Sequence, residues 1–424
     1  MLLILAGVSI SLILDNNGII QKSKDAKRKY GQARTNEQSD LNNISYWIDE
    51  AVGEINWNKI LDDAEKNPDK YKHSEQSSTN GDIGIGTDGK PVNLDLWTYK
   101  VINEKEITLG YFIGCNNTPG YQNNNIVNGQ IQGKVPQYIK INGNDEFYAV
   151  ISMHDTFLGC TSLTVAPVIP SSVTSMKNTF CGCTSLTVAP EIPSSVTSMS
   201  ETFRYCTSLT VAPVIPSSVT SMRYTFDGCT RLTVVPLIPS SVTIMENTFS
   251  GCTSLTVAPE IPSSVTGMFG TFSGCTSLTV TPEIPSSVTS MQRTFDGCTS
   301  LKVAPEIPSS VTSMENTFSG CTSLTVAPEI PSSVTEMFAT FFGCTSLTTA
   351  PVIPSSVKNM LYTFSKCTKL TGNLIINASP TYYDYCFEDA ATVDNANLVV
   401  SGSSTVLDEI IATKGTDSHI TKAQ

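Results

Sequence analysis

Histidine, tryptophan and basic charge are scarce in this chain of 424 residues. It has three His (His73, His154 and His419) and three Trp, and 26 Lys and Arg stand against 38 Asp and Glu, a formal net charge of −12. The shortage of basic residues holds along the whole length, which excludes a phosphate-neutralising face and with it a nucleic-acid partner. The His residues lie in unrelated contexts, and HExxH, GxSxG, P-loop and CxxC sequences are all absent. The expectation is a non-enzyme with no catalytic residue, no cofactor and no metal site. Charged residues make up only 15% of the chain. The middle, residues 151–370, carries few of them yet keeps regularly spaced apolar residues, so something periodic has to hold it together.

Long apolar runs are missing as well. The one pronounced run, Leu2–Leu14, has 13 uncharged residues, short of the roughly 18 to 20 that span a bilayer. A secretory signal carries a basic region before its apolar stretch, whereas Met1 precedes this run directly. A buried helix and a clipped membrane segment both fit. Beyond Asn16-Asn17-Gly18, apolar or small residues recur at Ala26, Tyr30, Ala33, Leu41, Ile44, Ile48, Val52 and Ile55. Steps of three, four and their sums predict one long amphipathic helix, so residues 1–55 form the first region. Lys22, Lys24, Lys27, Arg28 and Lys29 at its start mark either the interface end of a membrane anchor or a solvated helix face. This stretch resembles the type IV pilin-like N-terminus of Gram-positive surface proteins. In that family a short basic leader is cut before the apolar helix, and both the leader and the helix opening are absent here, so the chain looks truncated at its start.

Residues 56–149 turn to Gly, Asn and Asp with scattered aromatics. The stretch Gly81–Gly89 invites a phosphate-loop reading, but Lys90-Pro91-Val92-Asn93-Leu94 follows it, which is turn and strand chemistry where a phosphate loop requires a helix. Trp97–Ile102 and Val135–Ile141 read as short strands. The region is expected to be a small β-rich cap.

From Cys160 the chain repeats every 23 residues around Cys-Thr-Ser-Leu-Thr-Val-Ala-Pro-Glu-Ile-Pro-Ser-Ser-Val-Thr-Ser-Met-x-x-Thr-Phe-x-Gly. Ten cysteines (Cys160 to Cys367), ten Met (Met153 to Met360), ten Phe (Phe157 to Phe364) and ten Leu (Leu163 to Leu370) keep step. Such a period denotes a solenoid whose units bury their faces against one another. Within a unit, period two places Leu163, Val165, Pro167 and Ile169 inward and Thr164, Ala166 and Val168 outward, a short strand. Proline ends its pairing and makes a polyproline-like corner. Met176, Phe180 and Cys183 form one helical stripe, with Ser175 as N-cap and Gly182 as stop, so a short helical turn completes the coil. A mucin-like stalk has no use for apolar residues at fixed positions, and an ice-binding face would be spoiled by the prolines.

Ten thiols at a fixed step raise the question of disulfides. Stacked equivalents lie about 4.8 Å apart, but their Cβ vectors run parallel, so buried free thiols are the expectation. A linear column offers no tetrahedral metal geometry. Cys115, Cys181 and Cys386 lie off the column.

Cys-Thr-Ser-Leu-Thr, Ile-Pro-Ser-Ser-Val-Thr-Ser-Met and Thr-Phe-x-Gly-Cys together resemble the BspA-type leucine-rich repeat of bacterial and protist surface proteins. The resemblance covers residues 150–393. It implies a right-handed solenoid displayed on the cell surface that binds host or matrix proteins or other cells. Met where that family has Ile-Gly, and an extra Ala-Pro in the strand, are departures that bear on curvature and on the binding face. The fold class expected is thus an α/β repeat solenoid, leucine-rich-repeat-like, with short parallel strands and short helical turns. A long N-terminal helix and the β-rich cap precede it. Residues 394–424 form a C-terminal cap, with a strand at Asn397–Val400 and a helix around Leu407–Thr413.

Comparing the units separates fixed columns, which are core, from drifting ones. The drifting positions after Met supply Tyr224, Phe269, Phe338 and Tyr362, aromatic anchors of the kind interfaces use, on what is otherwise a solvent-exposed face. The outward strand position carries Glu260, Glu283, Glu306 and Glu329 in four consecutive units. Stacked carboxylates repel, so a cationic partner or Ca²⁺ would relieve them, although duplication of one unit explains the run without any ligand. The expected function is adhesion: a surface protein, tethered in its full-length form through the N-terminal helix, that binds a protein or glycan ligand on another cell or in the matrix. The alternative is a structural pilin-like subunit or rigid spacer with no specific ligand.

Overall fold

A computed structural model describes residues 76–77, 82–92, 94–103, 105–112, 126–127, 130–131, 134–140 and 147–424. The helix expected over residues 1–55 lies outside the described residues, as does Cys115. The described part belongs to one unit, Pro68–Gln424.

Its front is a seven-stranded sheet built from β1 (Gln76–Ser77), β2 (Ile83–Gly86), β3 (Pro91–Val92), β4 (Trp97–Asn103), β5 (Glu106–Phe112), β8 (Pro136–Lys140) and β9 (Phe147–Ser152), in the order β1-β4-β5-β9-β8-β2-β3. A separate hairpin pairs β6 (Ile126–Val127) with β7 (Gln130–Ile131). The Gly-rich stretch is the β2–β3 hairpin, turning through Gly89 at φ 74°. A strand follows it, as a turn requires and a phosphate loop does not. β5 runs parallel to β9. The sheet carries Trp97 and Phe112 against Phe157 of the first coil, with ring centroids 5.9 and 5.5 Å from it. That contact makes the cap's core and the solenoid's core one.

The coils stack in parallel with a register of 23 residues. One column of single-residue bridges runs without a break from Ser152↔Ser175 through Gly267↔Ser290 to Asn359↔Tyr382, and a broken one joins Val165↔Val188, Val211↔Val234 and their equivalents. Ser175, expected as a helix N-cap, is a bridge residue. The helical turn is absent too, and the described residues contain almost no helix. In the segment Met176–Cys183 the amides of Met176, Asn178, Phe180 and Gly182 donate to carbonyls of the next coil at 2.7–3.2 Å, while those of Thr179, Cys181 and Cys183 donate three residues back. Asn178 (φ 55°) and Gly182 (φ 74°) are left-handed and interrupt any α-helix. Asn and Gly tolerate that conformation best, and the same column places Asn247, Gly270 and Asn316 there.

The core is a set of columns. Phe157 to Phe387 form an unbroken stack with centroids 5.3–5.8 Å apart and rings within 12° of parallel. Leu, Val, Met and Cys columns around it are fully buried. Fixed polar positions belong to the same logic, because each satisfies a carbonyl of the preceding coil. The Thr179 hydroxyl donates to Met153 O at 2.8 Å, the Ser195 hydroxyl to Val173 O at 2.5 Å and the Cys183 thiol to Phe157 O at 3.1 Å. Eleven cysteines, Cys181 and Cys386 among them, are free and buried. Cys160, the first of the column, is instead disulfide-bonded, a correction at the one coil that meets the cap.

Period two fails within the coil. Leu186 and Ile192 point inward, but Val188 is 53% exposed, and Val211, Val234, Val257, Val280, Val303 and Val326 follow it. A strand one bridge long turns its corner before a second inward position comes round, so the valine expected inside lies outside.

At the back, β10 (Gly372–Ile375), β11 (Leu398–Ser401) and β12 (Ile420–Lys422) form a parallel sheet, covered by α1 (Leu407–Ala412). Lys422 on the edge strand pairs with Asp408 at 2.8 Å, and a charged edge discourages further strand addition. Among the described residues no helix is long and apolar enough to cross a membrane.

Candidate binding faces

Each coil presents two faces that its core does not consume: the corner, Thr-Val-Ala-Pro-Glu-Ile-Pro, and the turn segment after Met. At the corner, Ile is drawn inward (Ile284 is 5% exposed) and flanked by prolines of fixed φ, so the residue before it has to point out. Glu260, Glu283, Glu306 and Glu329 occupy that place in consecutive coils, all exposed. The structure therefore brings the four together in one row, with a rise of about 4.8 Å per coil. Among the described residues none of the four takes part in an ion pair, and Lys302 is the one basic residue in the Leu-to-Pro segments of these coils. Between adjacent corners lie open clefts of about 390 Å³, with Pro282, Glu283, Ile284, Pro305, Glu306 and Pro308 among the lining, and about 370 Å³, bounded by Pro328, Glu329, Ile330, Pro351, Val352 and Pro354.

The turn face divides the four candidate aromatics among three places. Tyr224 belongs to a charge network at the front. The Arg204 guanidinium lies 4.7 Å from the Tyr224 ring centre and 4.9 Å from that of Tyr205, and pairs with Asp227 at 2.8 Å and Glu201 at 3.1 Å. Arg223 lies 5.3 Å from the Tyr224 centre and pairs with Glu246 at 3.1 Å. Tyr205 replaces the column glycine, keeps φ at 58°, and lies over Gly228, where any side chain would collide with its ring. Burial pushes the Asp227 carboxyl up, with Arg204 pulling against it. Every charge in this network is engaged.

Phe338 and Tyr362 do come together, at the back. Their rings meet edge to face at 6.1 Å, Phe342 approaches Tyr362 at 6.5 Å, and Tyr385 stacks on Tyr362 at 4.8 Å. Lys366 sits 5.0 Å above Phe342. Tyr385 is half exposed. Phe269 joins neither group among the described residues. Sequence reasoning missed Phe342 and Tyr385. Tyr385 stands one repeat beyond Tyr362, and Phe342 follows the core Phe341 at the x of Thr-Phe-x-Gly, so both were within reach of the period.

Among the described residues no group of three or more His, Cys, Asp or Glu is placed to hold a metal ion. Burial pushes the thiols of Cys275 and Cys344 up to about 12, far from reactive thiolates.

The family described as BspA type Leucine rich repeat region matches residues 151–279 and 292–406, in six copies, which is more than half of the chain. Among the curated proteins none matches. Similar solved structures include a leucine-rich repeat protein from Bacteroides ovatus, with 19% identity over 78% of this chain and 99% of that one, at a TM-score of 0.41. The pneumococcal vaccine antigen PcpA is 14% identical over 80% of this chain and 100% of its own, at 0.46. A leucine rich cell surface protein from Faecalibacterium prausnitzii is 22% identical over 69% and 97%, at 0.33.

Proposed function

The chain belongs to the BspA-type leucine-rich-repeat family, and from that premise we propose that it is a non-enzymatic, surface-displayed adhesin that binds a protein or glycan on another cell or in the matrix through its exposed columns. The observation that carries this is the separation of jobs within each coil. Fixed columns complete the core and satisfy the carbonyls of the preceding coil, while Val and Glu at the corner stay in solvent with no such work, and the back of the turn face leaves Tyr385 half exposed beside the partly buried Phe338, Phe342 and Tyr362. Contiguous exposed apolar surface of this kind marks interaction sites. The disulfide at Cys160 fits an oxidising compartment outside the cytosol. Residues 1–55 would supply a pilin-like membrane tether.

The test is retention of the full chain on epithelial cells and on immobilised matrix proteins. Two variants are compared with it: Tyr362→Ser with Tyr385→Ser on the turn face, and Glu283→Gln, Glu306→Gln and Glu329→Gln on the corner. The adhesive reading expects the parent chain to be retained and at least one variant to be lost. A parent that is not retained, or two variants retained like the parent, would leave a rigid spacer, for which the continuous phenylalanine stack is well suited.

A further inference from the structure

We propose that the glutamate-rimmed corner clefts are docking sites for the Lys or Arg side chains of an extended polypeptide. This names the partner class for the adhesive reading and rests on it. Each cleft has walls of proline and isoleucine and a carboxylate at its lip: Glu283 and Glu306 on one, Glu329 on the other. A long cationic side chain has the matching build, an aliphatic stem that packs on apolar walls and a charged head kept at the water boundary. A glycan would want flat rings and convergent donors, and these clefts have neither. Charge complementarity points the same way, since no ion pair within the described residues neutralises these glutamates.

Spacing narrows the partner further. The two clefts lie two coils apart, about 10 Å at about 4.8 Å per coil, and three residues of extended chain span about 10 Å. In the polyproline II form, with three residues per turn, positions i and i+3 face the same side, so cations placed there reach both clefts. Three residues before Glu283, Glu306 and Glu329 stand Val280, Val303 and Val326, each more than half exposed, and they offer apolar contact to the aliphatic residues in between.

The probe is a fluorescein-labelled peptide of Lys-Val-Thr triplets, titrated by anisotropy against the full chain at low salt. Controls are a peptide of equal composition with its lysines in one block and a peptide with Glu for Lys. Binding of the periodic peptide is expected at about fivefold the affinity of the blocked one. It should drop about tenfold in the triple variant Glu283→Gln, Glu306→Gln, Glu329→Gln, and stay unchanged in Glu191→Gln, which sits alone between Val168 and Val214. Equal binding by the triple variant, or by the Glu peptide, overturns the proposal. The same preparations go onto cells in parallel. Retention of the parent with no charge-dependent peptide binding rejects this partner class and leaves adhesion standing, whereas loss of both rejects both.

Discussion

The front and back halves of the solenoid share one core and differ at the surface. Phe203 in front and Phe318 behind are equally buried and stack on their neighbours at 5.6–5.8 Å. Yet in front Arg204 and Arg223 are matched with Glu201, Asp227 and Glu246, and behind, four glutamates stand in a row without ion-pair partners among the described residues. The lesson is that a repeat array can tune its charges without touching its stability, because each coil's surface positions contact little beyond the next coil. Charges of the front turn face belong to the fold; those of the corner row are free for a partner.

The sharpest way to break this comparison is at the core. Phe203→Ala and Phe318→Ala should each cost about 3–5 kcal/mol, and by similar amounts, read as the shift in urea midpoint of the full chain. Unequal losses would show that the two halves do not share one core. Thiol labelling gives a second readout: the eleven buried free cysteines should react only as the chain unfolds, and Cys160 only after reduction.

Next comes the contrast in charge itself. Arg204→Met leaves Asp227, itself 8% exposed, without its guanidinium, and should cost about 3 kcal/mol. Glu306→Gln should change stability by less than about 0.5 kcal/mol. Similar losses from the two substitutions would erase the distinction between structural and available charge.

A smaller effect separates packing from hydrogen bonding within the shared core. Thr225→Val in front and Thr271→Val behind each remove a buried hydroxyl that donates to a methionine carbonyl, at 2.9 and 3.0 Å. Each should cost about 1–2 kcal/mol by thermal unfolding, since the carbonyl is left with less company in a dry interior.

What was legible in the sequence follows the same divide. The period, the core columns, the turn at Gly81–Gly89 and the row of glutamates could be read because each depends on identity at a fixed step. The helical turn was misread because Met176, Phe180 and Cys183 lie on one stripe both in an α-helix and in the looser turns found here. The distinguishing signal was Asn178 and Gly182, both tolerant of positive φ. Val165 and its successors were placed inside because period two presumes a strand longer than one bridge. The front network was invisible because it depends on residues 23 apart meeting across coils on a surface column, such as Arg204 with Asp227, and a drifting column gives no warning of which drifts are paired.

The finest distinction between the halves is a single carboxylate. Asp296 lies in the back half at the position where the two adjacent coils carry Ser273 and Ser319. Burial raises its pKa above the ordinary carboxylate value, opposed by a hydrogen bond from Ser319 and by the Arg293 charge. With the folded value above the unfolded one, the folded chain binds the proton more tightly. The resulting stabilisation is present at acid pH and lost as the pH rises through the folded value, so at neutral pH the ionised carboxylate is a net cost. Asp296→Ser should therefore stabilise the chain at pH 7 by about 0.5 kcal/mol and make no difference near the acid end of the carboxylate range. Thermal melts at both pH values decide it. A gain that does not shrink on acidification would mean that the serine helps by packing, and that even this half-buried back-half charge is as indifferent to the fold as the glutamates at the corner.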